Sequence, residues 1–327
     1  MTRAVPAPWQ QRIHDQVAAA LDAGRLGHGL LFCGPAQLGK RAVAERLAAR
    51  LLCDATDTPR PCGACRGCRL LASGAHPDYR VVSFILTRDG AKLRSEIVIE
   101  QIRQLSEQMS LTPQYGGAQV VIIDPADAVN HAACNALLKT LEEPVPGRYL
   151  WLVCANPARL PATIRSRCQR LEFRLPPREE ALQWLQAQGH AAGAAAEALD
   201  AARGHPGQAD DWLRTEGMAL RRQVGDDLDA VARGTRTPLD TAQRWTADEH
   251  AALRLRHAAD LAVARAGERL TDPARTRSLA AWFDQANRTR DLLRTTVRAD
   301  LAVVELLMAW RAGAARPDAQ ARHDGAR

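Results

Sequence analysis

The chain has 327 residues, room for two or three domains, and its 46% hydrophobic and 25% charged content excludes a fibrous or wholly disordered class. A formal charge of +7 permits contact with nucleic acid without requiring it, because arginine-rich coding gives the same excess. No run of about eighteen apolar residues is present, so no membrane span is expected, and Met1 to Gln11 lacks the basic-then-apolar order of a secretory signal.

Taken in chain order, the first half alternates helices and strands. Trp9 to Leu21 has helical spacing. Gly29 to Cys33 is a short apolar strand, followed by a glycine-bearing turn and a helix from Lys40 to Leu52. A cysteine-rich insert, Cys53 to Cys68, precedes a strand at Tyr79 to Ser83 and a helix at Ile97 to Met109. Val120 to Ile123 is a third strand. Asp127 to Glu143 reads as one helix stopped by Pro144. Tyr149 to Ala155 and Leu171 to Phe173 complete five strands. Buried apolar strands alternating with helices predict a parallel sheet covered on both faces.

After Leu175-Pro-Pro177 only helices are expected, at Met218 to Arg233, Ala247 to Gly267 and Ser278 to Ala312, with a smaller group over Arg178 to Thr215. The expected organisation is an α/β domain over 1–174 with an insert at 53–68, a helical lid over 175–216 and a helical domain over 217–313. The Ala-, Arg- and Gly-rich tail 314–327 is expected to be disordered.

Gly34-Pro-Ala-Gln-Leu-Gly39-Lys40-Arg41 nearly fits the phosphate-loop pattern G-x-x-x-x-G-K-[ST], and it sits between a strand and a helix as that loop must. The last position is Arg41, whose guanidinium has no lone pair for magnesium. The third strand ends in Asp124, which such loops use to hold magnesium, but the next residue is Pro125, which cannot act as a base. Two defects in independent parts of one site predict a loop that does not hydrolyse ATP. Gly34, Gly39 and Lys40 would still cradle phosphate, so the sequence leaves open whether ATP or ADP is bound and never cleaved.

Cys53, Cys62, Cys65 and Cys68 follow the spacing C-x8-C-x2-C-x2-C. Four thiolates suit tetrahedral zinc, and Gly63 and Gly67 permit tight turns between them. The insert is too short for a core of its own, so a structural metal would supply its folding energy. His76 is a nearby alternative ligand, but His76-Pro77 reads better as the entry to a strand. Cys33, Cys134, Cys154 and Cys168 are expected to be buried free thiols without a metal role.

Asn135-Ala-Leu-Leu-Lys-Thr-Leu-Glu-Glu-Pro144, Ile164-Arg-Ser-Arg-Cys168 and Ala155-Asn156, together with the cysteine insert, resemble the clamp-loader branch of the AAA+ family, and within it the delta-prime family of bacterial DNA polymerase III. The resemblance covers about Trp9 to Phe173. It implies a RecA-like AAA+ domain with a helical lid and a helical collar. It also implies a cytoplasmic pentamer with motor (gamma/tau) and delta subunits, which opens a sliding clamp and places it on primer-template DNA. The chain would be a rigid subunit without catalytic activity of its own, accessory to a DNA-directed DNA polymerase. Arg167 would reach in trans into a neighbour's ATP site, Arg165 being the lesser candidate. Asn156 would stand at the sensor position, and Gln208 where relatives often carry a basic residue. Two other readings remain at this level: an active ATPase motor subunit of the loader, and a zinc-dependent nucleic-acid-binding protein on an AAA+ scaffold, with Arg60, Arg66 and Arg69 as phosphate contacts.

Overall fold

The computed structural model describes residues 5–87, 90, 92–115, 117–268, 273–293 and 295–315. The tail expected to be disordered lies almost wholly outside them. Contacts divide the described residues into two compact units. One comprises the chain up to Ala187 with Gly204–Gly207, and the other Gln188–Arg203 with the chain from Gln208 onward.

The first unit is built on β1 (Gly29–Cys33), β2 (Tyr79–Val82), β3 (Gln119–Ile123), β4 (Arg148–Cys154) and β5 (Gln169–Glu172). They form one parallel sheet in the order β2-β3-β4-β1-β5. Strands β1 and β3 are buried at every position, whereas the edge strand β2 is part-buried and the edge strand β5 is largely open to solvent. Side chains along a strand alternate between faces, and the two faces have separate cores. Leu31, Cys33, Val121, Ile123, Leu150 and Leu152 face one core. It is closed by Ile102 and Leu105 of α4 (Ile99–Ser110) and by Ala133, Leu137 and Leu141 of α5 (His131–Glu142). Leu30, Phe32, Val120, Ile122, Trp151 and Val153 face the other. There they meet Val17 of α1 (Pro8–Asp22) and Val43, Ala44 and Leu47 of α2 (Lys40–Leu51). This is a parallel sheet covered on both faces, as the sequence leads one to expect.

Three helical expectations are corrected. The single helix over Asp127 to Glu143 is interrupted: a 3-10 turn spans Ala126–Ala128, and α5 begins only at His131. Asn130 is the reason, because its side-chain oxygen accepts the amide of Ala133 at 3.0 Å and caps a new helix start. Within α5, Leu137 and Leu141 are buried but Leu138 is only half-buried. The long helix over Ser278 to Ala312 is two, α13 (Pro273–Leu292) and α14 (Ala299–Ala315). The hydroxyl and amide of Thr295 both turn back to the Leu292 carbonyl, at 2.7 and 2.9 Å, and end α13. Between α10 (Gly217–Arg233) and α12 (Ala251–Glu268) an unexpected α11 (Pro238–Trp245) appears. Its start is written in Thr237-Pro238: the threonine hydroxyl accepts the amide of Asp240 at 3.1 Å, and proline occupies the first turn.

Three short helices, α7 (Arg178–Ala187), α8 (Ala192–Ala201) and α9 (Pro206–Arg214), precede α10 in the chain. The second unit packs α10 to α14 around Val224, Leu228, Trp245, Leu255, Trp282, Leu306 and Trp310. Its indole N–H groups find acceptors: Trp282 on the Leu306 carbonyl and Trp310 on the Leu228 carbonyl, each at 2.9 Å. Trp245 donates to Asp227 at 2.9 Å, and this carboxylate, only 1% exposed, also receives Arg236 and Arg244. Asp227→Ala should therefore lower the unfolding free energy of this unit by about 2 kcal/mol, since it leaves the buried Trp245 N–H without an acceptor and takes the partner from two part-exposed arginines. Asp227→Asn, which keeps an acceptor for Trp245, should cost about half as much. Urea unfolding followed by tryptophan fluorescence reads both, and equal, near-zero losses would remove Asp227 as the organising group.

Candidate functional site

In a parallel sheet all strands end at one rim. The phosphate loop lies at that rim, between Cys33 of β1 and Lys40 of α2. Gly34 (φ +133°) and Gly39 (φ +78°) take backbone conformations that favour glycine. Both are also closely covered. A Cβ on Gly34 would lie 2.1 Å from the Phe173 carbonyl oxygen, and one on Gly39 would lie 2.1 Å from Nε2 of Gln10. Helix α1 is tied over the loop, because Trp9 Nε1 and Gln10 Nε2 donate to the Leu38 carbonyl at 3.1 and 3.2 Å. On another side Gly207 abuts the loop so closely that a Cβ there would lie 1.9 Å from the Gln37 carbonyl oxygen.

Lys40 is 5% exposed, and its Nζ donates to the loop's own carbonyls, Gly34 at 2.8 Å and Pro35 at 2.5 Å. Burial pulls its pKa down, against the opposing pull of Asp124. Arg41 donates through Nε to Glu45 at 2.8 Å and places Nη1 3.6 Å from Asp124. Burial raises the pKa of Asp124, and Arg41 and Lys40 counter that rise. The guanidinium thus stands beside the strand-end carboxylate where a hydroxyl and a divalent ion would be needed. Pro125 follows without any acid or base. This donor set does not fit a magnesium–nucleotide complex.

Neighbouring polar groups at the same rim are committed locally. Asp127 accepts the amides of Ala155 and Asn156 at 3.3 and 3.1 Å, joining the ends of β3 and β4. Asn156 accepts the amide of Ala158 at 3.2 Å and so caps the following turn. Gln208 is not part of this group: it belongs to the second unit and accepts Arg256 there.

The four sulfurs of Cys53, Cys62, Cys65 and Cys68 all lie within 4.8 Å of one another. Cys62 and Cys68 are 4.0 Å apart and Cys53 and Cys65 3.9 Å. Tetrahedral thiolate ligands at about 2.3 Å from a metal have sulfurs about 3.8 Å apart, so the cluster has the dimensions to hold an ion. The amides of Cys62, Cys65 and Cys68 donate to Cys53, Cys62 and Cys65 sulfur at 3.4, 3.3 and 3.3 Å, which favours thiolates. Backbone donors at Ala64 and Cys65 bring the Cys62 thiol down to about 6. Burial pushes Cys68 up to about 12, so it most needs an adjacent cation to ionise. Cys65 also caps α3 (Arg66–Ala72), a helix the sequence reading missed because the cysteine spacing masked it. Asp54, also missed, accepts the amide of Gly67 at 3.0 Å. His76 is outside the cluster; its Nδ1 accepts the amide of Asp78 at 3.1 Å. Cys33, Cys134, Cys154 and Cys168 are buried free thiols.

Arg167 lies at the opposite rim, in the turn between α6 (Ala162–Arg165) and the start of β5. Strands of four to five residues at about 3.3 Å each put the rims on the order of 15 Å apart. This arginine therefore cannot serve the chain's own phosphate loop. Its side chain is 36% exposed, with Nη1 on the Thr163 carbonyl at 2.9 Å and Nη2 on Glu142 at 2.5 Å. Arg165 differs in having a buried Nε. Glu142 is the last residue of α5, and its pairing with Arg167 is set by the fold rather than by any local sequence pattern.

A family model described as DNA polymerase III, delta subunit, matches residues 9–177, just over half of the chain. The chain is 42% identical over 178 residues to DNA polymerase III subunit delta' of Pseudomonas aeruginosa, covering 54% of this chain and 52% of that protein. It is 35% identical over 217 residues to subunit delta' of Escherichia coli K12, covering 64% and 63%. It is also 35% identical over 170 residues to subunit gamma/tau of Mycobacterium tuberculosis H37Rv, covering 52% and 28%. The matched stretch thus spans between half and two thirds of these delta' relatives. It contains the altered phosphate loop, the four cysteines and the Ser166-Arg167-Cys168 turn, and the chain belongs to the delta-prime subunit family of DNA polymerase III.

Proposed function

We propose that the chain is a non-hydrolysing, stator-like subunit of a clamp loader, working beside motor (gamma/tau) and delta subunits to place a sliding clamp on primed DNA. The observation that carries this reading is the division between the rims. The chain's own loop holds a guanidinium beside Asp124, while Arg167, paired with Glu142 and part-exposed at the far rim, is where another subunit's nucleotide would meet it. A guanidinium aimed at a neighbour's γ-phosphate stabilises the charge that develops in phosphoryl transfer and makes hydrolysis depend on correct assembly. Similarity to gamma/tau raises the alternative of a motor subunit. Arg41 and Pro125 weigh against it, because neither can hold magnesium or activate water. The helices after Arg178 would serve as lid and collar.

The metal held by Cys53, Cys62, Cys65 and Cys68 is proposed to be zinc, in a structural role. Four sulfur ligands suit it and leave no open position for water. When bound, it would cross-link a segment that has no core. The cysteine backbones orient the ligands, and Asp54 steadies the turn at Gly67.

Two experiments address this reading. In a reconstituted loader, Arg167→Ala should lower the kcat of clamp- and DNA-stimulated ATP hydrolysis roughly tenfold or more. Assembly on gel filtration should be intact, and Lys40→Ala in the same chain should leave kcat unchanged. Undiminished turnover by the Arg167 variant would remove the trans role. Separately, elemental analysis of the purified chain should find about one zinc per molecule. Cys62→Ser should lose most of it and expose residues 53–68 to protease; a metal-free, protease-resistant wild-type insert would refute the zinc site.

A further inference from the structure

Arg167 does not wait free for a neighbour. Its Nη2 lies 2.5 Å from Oε1 of Glu142, the last residue of α5. Both backbones are held. His28 Nε2 meets the Leu141 carbonyl at 3.0 Å, and the amide of Arg167 donates to the Ile164 carbonyl at 3.2 Å. Gly29 brings the two segments together, since a Cβ there would lie 3.1 Å from a Leu141 methyl carbon and 3.2 Å from the Arg167 carbonyl oxygen.

A glutamate is electrostatically misplaced at this point of the helix. The C-terminal end of α5 carries the negative pole of the helix dipole, and Glu143 adds a second carboxylate next to it. The helix gains nothing from Glu142 there, so its placement is accounted for by its partner. Both side chains are well exposed, 36% for Arg167 and 47% for Glu142, and an ion pair that open is weak.

We propose that Glu142 is a positioning residue for Arg167. It holds the guanidinium on this rim as a displaceable internal ligand, which a neighbour's triphosphate must outcompete. The proposal rests on the trans role of Arg167. A triphosphate carries more negative charge than one carboxylate, so it wins Nη2 once the subunits are assembled. Until then the pair keeps the arginine from engaging stray anions. Because the carboxylate is displaced when nucleotide first binds, the cost of displacing it bears equally on the bound ground state and the transition state. Removing it should therefore shift KM and leave kcat in place.

The test is steady-state ATP hydrolysis by the fully reconstituted loader. Glu142→Gln, which keeps the shape and removes the charge, should lower KM for ATP about two- to fivefold, the size expected of an exposed pair, with kcat unchanged. Glu142→Ala should shift KM in the same direction. On an Arg167→Ala background neither substitution should change KM. Gel filtration of each complex and thermal unfolding of each chain establish that the comparison is between intact loaders. An unchanged or raised KM in both Glu142 variants would overturn the proposal, as would a shift that persists without Arg167. The outcomes separate the two ideas. If Arg167→Ala lowers turnover while the Glu142 variants are inert, only the positioning role fails. If Arg167→Ala has no effect on turnover, the trans role fails and the positioning role with it.

Discussion

The direction of the strands is the constraint on which the rest of the molecule depends. A parallel sheet has two unlike rims, because every strand begins at one and ends at the other. The phosphate loop must follow β1, and the Ser166-Arg167-Cys168 turn must precede β5, so the two occupy opposite rims of one sheet. Both cores of the sheet hold that separation fixed, since Leu31 and Phe32 on adjacent positions of β1 are buried in different faces. A subunit built this way can carry a nucleotide site at one rim and complete another subunit's site at the other. A change of side chains at one rim therefore need not disturb the other.

At the phosphate-loop rim a side-chain cation stands beside the strand-end carboxylate. Magnesium in a phosphate loop neutralises the strand-end carboxylate and the phosphates together. Here Arg41 approaches Asp124 and is itself steered by Glu45, so the carboxylate keeps a positive neighbour without any ion. Lys40 likewise bonds to the carbonyls of Gly34 and Pro35. Buried charges without partners are costly, and the altered loop avoids that cost with side chains already present. The Trp9 and Gln10 contacts to Leu38 bind the same loop to α1, so the loop serves as a joint of the fold whether or not it meets phosphate.

Much of this was legible in the sequence because it rests on local chemistry. The strands were visible as apolar runs, and all five lie within about two residues of their expected ends. The four cysteines could be grouped from spacing alone. What escaped was set by contacts between distant segments or by a single polar side chain overriding periodicity. The cap at Asn130 and the hydroxyl turn at Thr295 each divided a segment whose apolar spacing suited one continuous helix. The Glu142–Arg167 pair joins the end of one helix to a turn 25 positions later, and no pattern in the chain announces it. The covering of Gly39 by Gln10 is of the same kind.

The cysteine cluster is placed by the same strand logic. Helix α2 runs back from the loop rim, so Cys53, just past its end, lies toward the rim where the strands begin. The insert then leads into β2, the edge farthest from β5 in the sheet order. Four strand spacings of about 4.8 Å separate those edges by roughly 19 Å. The cluster is joined to the β2 edge through α3. The Arg66 guanidinium sits 4.6 Å from the ring centre of Tyr115, and Asp78 accepts the amides of Gln114 and Tyr115 at 2.8 and 3.2 Å. Asp78 immediately precedes β2, and its carbonyl accepts the amide of Val120 at 2.8 Å. A metal in the cluster would thus fix the β2–β3 edge of the sheet, leaving both the phosphate-loop rim and the exposed arginine to be set by the core.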